Sequence, residues 1–240
     1  MRVLVLIVAA LLSLTLTACG TASRPATSTG EADQPGVEAS EGEPALVGQD
    51  LIGTTRDGGI VVYVLQPEDD GYDQKVPHGV LAAPEDVMTT YTDKWNGRQI
   101  TGSYVWSTGV FSTSGTDAAW VQIGDTSSAI GQGSHNTDAI LGVYPAETYP
   151  NSASAVARAY RGGGKSDWFL PSIDELTAMQ ANRKYLGTLQ EDSYWSSTEA
   201  DIMVDRYSDA KGLYFNDPDG TVHIAGTKNG NSHVRAARYF

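Results

Sequence analysis

The stretch "GGKSDWFLPSIDELTAM", residues 163–179, decides how this chain folds. Pro171 disfavours helical geometry at the residue before it, so the apolar run that ends at Leu170 is predicted to be extended. Ser172 and Glu175 form a capping-box pattern, in which each side chain can accept a hydrogen bond from the backbone N–H of the other residue. The stretch therefore predicts an extended segment, a turn and the start of a helix.

The helix that begins after Ser172 carries apolar residues at helical spacing. Because capping gives Ser172 and Glu175 a sufficient structural role, we favour that role over the alternative of a catalytic hydroxyl–carboxylate pair. The inner face of the helix is predicted to consist of Ile173, Leu176, and Met179 or Gln180.

Short apolar and β-branched segments lie on both sides of this stretch, and they favour strands. The Asp-Pro-Asp-Gly sequence at residues 217–220 predicts a tight turn between two of them. Runs of antiparallel strands with a few separate helices indicate an α+β domain. The segments are "GGIVVYVL" (58–65), "GVLAAP" (79–84), "SYWSSTE" (193–199), "GLYFNDPDGTVHIA" (212–225) and "SHVRAARYF" (232–240).

Two further helices are predicted before the opening stretch. Residues 136–144 favour a short helix capped by Asn136 or Thr137, and residues 152–164 favour one that Ser152 caps and Gly162 ends. The region 97–134 is rich in Gly, Ser and Thr and contains Trp106 and Trp120, so we expect loops and short strands there.

The first residues resemble an export signal that ends in a lipidated cysteine. An apolar run follows Arg2 and leads to "LTAC" at residues 16–19, which resembles a bacterial lipobox. We predict a signal peptide at 1–18, lipidation of Cys19, and an extracytoplasmic protein anchored to the bacterial cell membrane or outer membrane. The alternative is an ordinary signal peptide that happens to contain a cysteine.

Composition separates a tether from a domain. Residues 19–47 lack aromatic side chains and are rich in Ser, Thr, Gly, Pro and Glu, so we predict a disordered tether followed by one domain at 48–240. The chain contains a single cysteine, which leaves the domain without a disulfide. Its formal net charge of −13 repels phosphate backbones and sulfated polymers, which excludes nucleic acid as a favoured partner.

Six motifs, in order along the chain, resemble the bacterial domain named after the C-terminal domain of a Legionella collagen-like adhesin. That family resembles the C-type lectin-like fold. The resemblance implies short antiparallel strands, about two to three helices, long loops, and pairing of the first and last strands. It also implies that Trp168 packs in the core at a fold joint. The motifs are "GGIVVYV" (58–64), "HGVLAAPED" (78–86), "AIGQGSHNTDAI" (129–140), "SDWFLPSIDEL" (166–176), "YWSSTE" (194–199) and "VRAARYF" (234–240).

No motif in the chain predicts catalysis, a cofactor or a metal. The C-type lectin-like fold is shared with formylglycine-generating enzymes, whose reaction uses cysteines. Residues 20–240 contain no cysteine, so that reaction is not expected here. "GGGKS" at 162–166 lacks the first glycine of a phosphate loop, and "SDAK" at 208–211 lacks the partner motifs of penicillin-interacting enzymes. The four histidines show no zinc spacing.

A ligand site is predicted from the resemblance to receptor-binding proteins of diversity-generating retroelements. Their binding face lies between the equivalents of "YWSSTE" and "VRAARYF", which corresponds here to residues 201–231. Aromatic rings there can stack on a sugar, and amide and carboxylate groups can bind its hydroxyls. The predicted ligand-binding residues are Tyr207, Tyr214, Asn216, Asp217 and Arg206.

Three functions fit these observations. The first is a surface-tethered lipoprotein with a ligand-binding or adhesion module for a glycan or an envelope protein. The alternatives are an extracytoplasmic hydrolase with an unrecognised carboxylate site and a purely structural envelope lipoprotein. A deep pocket with convergent carboxylates would favour the enzyme, whereas a shallow face would favour binding.

Overall fold

The computed structural model describes residues 48–93, 96–107, 121–200, 209–217 and 222–240, and it describes the backbone but not the side chains of 222–225. These residues belong to the unit Pro44–Phe240. The predicted signal peptide, Cys19 and the predicted tether lie outside the described residues, as do Trp120, Arg206 and Tyr207.

The described part of the chain is α+β, as the sequence predicted, with three α-helices and several small antiparallel sheets. The strands are β1 (Thr55–Arg56), β2 (Gly59–Val64), β3 (Gly79–Ala82), β4 (Thr90–Thr92), β5 (Gln99–Thr101), β6 (Tyr104–Val105), β7 (Ser193–Glu199), β8 (Asp209–Tyr214), β9 (Val222–Thr227), β10 (Asn231–Ser232) and β11 (Ala237–Tyr239). The helices are α1 (Gly133–Val143), α2 (Ala153–Ala159) and α3 (Ile173–Ala181), with 3₁₀ turns at Gly48–Leu51, Gly162–Gly164 and Arg183–Tyr185.

The largest sheet corrects one expectation about strand pairing. Its order is β1-β2-β3-β11, so the last strand pairs with β3, and the prediction that the first and last strands pair is wrong. All four residues of β3 are buried. A buried strand needs hydrogen-bonding partners along both edges, and β2 supplies one while β11 supplies the other. The other sheets are β7-β8-β9, β6-β10 and β4-β5.

The opening stretch forms the predicted joint. Phe169 and Ala237 exchange backbone hydrogen bonds of 2.9 Å each, which confirms the extended segment. The Ser172 hydroxyl accepts from the N–H of Glu175 at 3.3 Å, and the Glu175 carboxylate accepts from the N–H of Ser172 at 2.8 Å. The capping box is therefore present. The predicted inner face of α3, at Ile173, Leu176, Met179 and Gln180, is buried, and Glu175 is buried with it.

The predicted N-terminal cap is confirmed for α2 and is wrong for α1. The Ser152 side chain caps α2 by accepting from the N–H of Ala155, as predicted. The prediction that Asn136 or Thr137 caps the first helix is wrong, because α1 begins at Gly133 and both residues are buried within it. The Thr137 hydroxyl instead donates to the Gly133 carbonyl at 2.7 Å, a bond that holds the first turn of the helix.

Two packed clusters form most of the core. Trp106, Trp168 and Trp195 lie in one of them and are fully buried. The other joins β2, β3, β7 and β8 to α3, with Phe169 and Leu176 among its members. Within the ranges given above, none of the helices has the length and hydrophobicity that a bilayer crossing requires.

Candidate functional site

An open groove of 560 Å³ lies between β2 and α3, and we call it the α3 groove. The capping box sets where α3 begins. At the other end of the helix, the Asn182 side chain donates to the Val62 carbonyl at 3.0 Å, which ties the helix to β2. The apolar lining consists of Ile52, Val62, Val64, Ile130, Ala178 and Ala181.

The lining of the α3 groove also includes hydroxyl, amide and carboxyl groups. The Tyr63 hydroxyl donates to the Asp69 carboxylate at 2.8 Å, and burial together with that contact raises the pKa of Tyr63 to about 12. The phenol is therefore neutral at physiological pH. The polar lining consists of Gln49, Tyr63, Gln66, Asp174, Thr177 and Asn182.

Asp174 contributes the carboxylate of the groove lining. Desolvation raises its pKa, and the positive charge of Lys211 opposes that rise. Among the described groups, none donates a hydrogen bond to the Asp174 carboxylate, while the backbone N–H of Asp174 donates to the Ser128 carbonyl at 3.1 Å. Since none of the described lining residues is basic, the groove favours neutral or cationic ligand groups.

The predicted ligand-binding residues that the structure describes lie at the end of β8. Tyr214 and Asn216 are exposed, whereas Phe215 between them is buried. Phe215 and Asn216 lie in the turn that follows β8, where the Asp217 N–H donates to the Tyr214 carbonyl at 3.3 Å. The Gln180 side chain donates to the Asp217 carbonyl at 2.7 Å and so holds this segment against α3. Arg206 and Tyr207, the other two predicted residues, lie outside the described residues.

The predicted ligand-binding residues and the α3 groove lie on either side of the last turn of α3. Gln180 contacts the β8 side of the last turn of α3, while Asn182 contacts the β2 side. The structure thus brings Tyr214, Asn216 and Asp217 together but does not place them in the groove lining. Sequence reasoning missed the groove, although its helical lining at positions 174, 177, 178 and 181 has the spacing of one helix face.

Glu175 is fully buried, and hydrogen bonds from the surrounding chain hold its carboxylate in a structural role. Its carboxylate accepts from the Tyr239 hydroxyl at 2.7 Å, from the Gly131 N–H at 2.9 Å and from the Gly133 N–H at 3.4 Å, besides its capping bond. Burial raises the pKa of Glu175, and the donated hydrogen bonds oppose that rise. The carboxylate joins α3, the start of α1 and the last strand.

The buried Asp86 and the half-buried Glu199 are also engaged in ion pairs. Asp86 accepts from Nε of Arg235 at 2.7 Å and from the Tyr194 hydroxyl at 2.8 Å. Glu199 lies 2.5 Å from Nζ of Lys228, and that ammonium also lies over the Trp106 ring. Both carboxylates hold separate parts of the chain together, because removing one partner would leave a buried charge unpaired.

The described residues contain no group of three or more His, Cys, Asp or Glu side chains arranged to hold an ion.

Comparison with solved structures gives a distant likeness. No family model matches the chain, and no curated protein matches it. Among solved structures, it is similar to a fimbrial protein from Bacteroides ovatus ATCC 8483, with 16% sequence identity and a TM-score of 0.37. The match covers 75% of this chain and 43% of the fimbrial protein, so it spans less than half of that protein. A likeness of this size does not define the fold or function, and the resemblance to the Legionella adhesin domain stays a prediction.

Proposed function

We propose that this protein is a surface-tethered, C-type lectin-like module that binds a ligand at the cell envelope and serves adhesion. The observation that carries the proposal is the α3 groove, an open surface lined both by apolar side chains and by amide and hydroxyl groups. A lipid anchor on Cys19, which the lipobox-like sequence predicts, would hold the module at the membrane. The ligand would then be reached from outside the cytoplasm.

An uncharged or amine-bearing glycan fits this surface best. A sugar presents an apolar face and a ring of hydroxyls, which match the apolar and the polar side chains of the groove lining. Tyr214 and Asn216 stand exposed across the end of α3, where they can extend contact with a longer chain. Asp174 and the net charge of −13 disfavour sulfated or otherwise anionic glycans.

The arrangement of carboxylates favours binding over hydrolysis. A typical glycoside hydrolase places two carboxyl groups on either side of the scissile bond. Among the described lining residues of the α3 groove, one carries a carboxylate, and that residue is Asp174. Glu175, Asp86 and Glu199 are each engaged in hydrogen bonds or ion pairs that hold the fold.

A glycan array tests the proposal. Full-length protein in detergent, labelled at its surface lysines, should bind at least one neutral or amine-bearing glycan and should not bind heparin-like polymers. Binding to envelope proteins and to none of the glycans would support adhesion with a protein ligand. Failure to bind either class would favour a purely structural lipoprotein, and turnover of a bound glycan would favour the hydrolase.

A further inference from the structure

A second, smaller pocket of 300 Å³ lies beside α2, on a different part of the surface from the α3 groove, and we call it the α2 pocket. One wall comes from the segment after β3, and the other comes from α2 and the residues that follow it. The residues on which the inference depends are Glu85, Asp86, Met88, Val156, Tyr160 and Arg161.

Hydrogen bonds and an ion pair to buried groups hold the segment after β3 that forms one wall of the α2 pocket. The Val87 N–H donates to the Val234 carbonyl at 2.9 Å, and the buried Tyr104 hydroxyl donates to the Val87 carbonyl at 3.1 Å. Asp86 is fixed by its ion pair with the fully buried Arg235. Glu85 is therefore an exposed carboxylate on a rigid backbone.

The opposite wall presents a positioned guanidinium. Nη1 of Arg161 donates to the carbonyls of Arg158 at 2.9 Å and Tyr160 at 2.7 Å. Those two bonds use both hydrogens of Nη1 and leave the Nε and Nη2 donors. Within the described part of the chain, Arg161 forms no ion pair, either with Glu85 or with another carboxylate. An oriented guanidinium of this kind suits a carboxylate ligand.

Tyr160 forms the aromatic part of the pocket next to the acidic group. Its ring packs edge-on against the buried Trp168, with centroids 5.2 Å apart. Burial raises the pKa of Tyr160, and the negative charge of Glu85 adds to that rise, which agrees with their position in the same pocket. Met88 and Val156 provide apolar surface beside the two charges.

We propose that the α2 pocket binds a small zwitterion, a free amino acid or a dipeptide, with its ammonium group on Glu85 and its carboxylate on Arg161. Two residues of opposite charge that line one pocket without pairing to each other match a ligand that carries both charges. The volume lies at the lower end of the range for small-molecule sites, which suits a ligand of this size. The apolar surface of Met88 and Val156 would receive a short aliphatic side chain. This site is independent of the proposed glycan binding.

Calorimetric titration of the full-length protein in detergent tests the assignment. The probes are alanine, leucine, phenylalanine and dialanine, each compared with its N-acetyl derivative and its methyl ester. We expect at least one zwitterion to bind, and each blocked derivative, which lacks one charge, to bind at least tenfold more weakly. Absence of binding by every probe up to about 10 mM, the weak end of measurable affinity, would overturn the proposal.

Two variants assign the charges. Glu85→Gln should remove the preference for the free amine over the N-acetyl derivative, and Arg161→Gln should remove the preference for the free acid over the ester. Matched controls at exposed positions outside both pockets, Glu147→Gln and Arg98→Gln, should bind as the unmodified protein does. Unchanged discrimination in both pocket variants would place the ligand elsewhere and refute the assignment.

Discussion

Gly58 and Gly163 lie with their backbones in direct contact. A Cβ atom on Gly163 would stand 2.3 Å from Cα of Gly58, and one on Gly58 would stand 2.5 Å from Cα of Gly163. Both residues also have positive φ, +83° and +61° respectively, which side chains rarely adopt. The turn between β1 and β2 can therefore approach the opening stretch because both positions are glycine.

This contact predicts a specific cost for Gly163→Ala. Gly164 provides a matched control, because it has a similar φ of +70° and no atom within 4 Å of a built Cβ. Each alanine should cost about 1–2 kcal/mol in left-handed strain, and Gly163→Ala should cost about 1–3 kcal/mol more through steric overlap. Urea unfolding measures both values. Equal costs for the two variants would contradict the close contact.

Trp168 should be a core residue rather than a ligand contact. Its side chain is fully buried, its Nε1 donates to the Gly162 carbonyl at 3.1 Å, and its ring packs on Tyr160. Trp168→Ala should therefore lower the free energy of unfolding by about 3–5 kcal/mol, whereas Tyr72→Ala, at a side chain that is 39% exposed, should change it little. A stable Trp168→Ala protein would mean that the ring serves binding.

The pair of Asp167 and Arg238 predicts a small, pH-dependent contribution to stability. Nε of Arg238 lies 2.5 Å from the Asp167 carboxylate and lowers the pKa of Asp167 below its ordinary value of 3.8. A lowered folded-state pKa gives stability that is present above pH 3.8 and is lost as the pH falls through the folded-state value. Because Asp167 is 60% exposed, solvent screening limits the contribution to about 0.5 kcal/mol.

Unfolding of the unmodified protein and of Asp167→Asn at a series of pH values measures this contribution. The difference in unfolding free energy should be largest near neutral pH, vanish in acid and shrink in high salt. A difference that stays constant across the series would show that the ion pair is not its source.

Cys19→Ala should release the protein from the membrane. The prediction rests on the single cysteine at the end of the signal-like run. The unmodified protein should partition into the detergent phase and gain the mass of a diacylglyceryl group, while the variant should remain in the aqueous phase. Detergent partitioning that does not change in the variant would exclude the lipid anchor at this position.

Local chemistry made several elements predictable from the sequence. Pro171 fixed the extended residue before it, and Ser172 with Glu175 fixed the start of α3, because each effect acts over a few residues. The apolar, β-branched run of β2 identified a strand for the same reason. These features do not depend on where the rest of the chain lies.

The remaining features depend on contacts between distant parts of the chain. Asn136 resembles a helix cap in sequence, yet α1 begins at Gly133, whose N–H donates to the carboxylate of Glu175 from another helix. The α3 groove combines segments around Ile52, Tyr63 and Ile130 with one side of α3. The local pattern of the sequence cannot predict this groove, because the groove forms only when α3 packs against β2.

Filling the α3 groove tests the central claim most directly. Ala181 is exposed at the end of α3 and lines the groove, so Ala181→Trp should occlude it without disturbing the core. The matched control is Val143→Trp, at an exposed position outside both pockets. The measurement is the affinity of full-length protein for the glycan that the array identifies, with the melting temperature recorded alongside. We predict that Ala181→Trp weakens binding at least tenfold, about 1.4 kcal/mol, while Val143→Trp binds normally. Undiminished affinity of Ala181→Trp would contradict binding in the α3 groove.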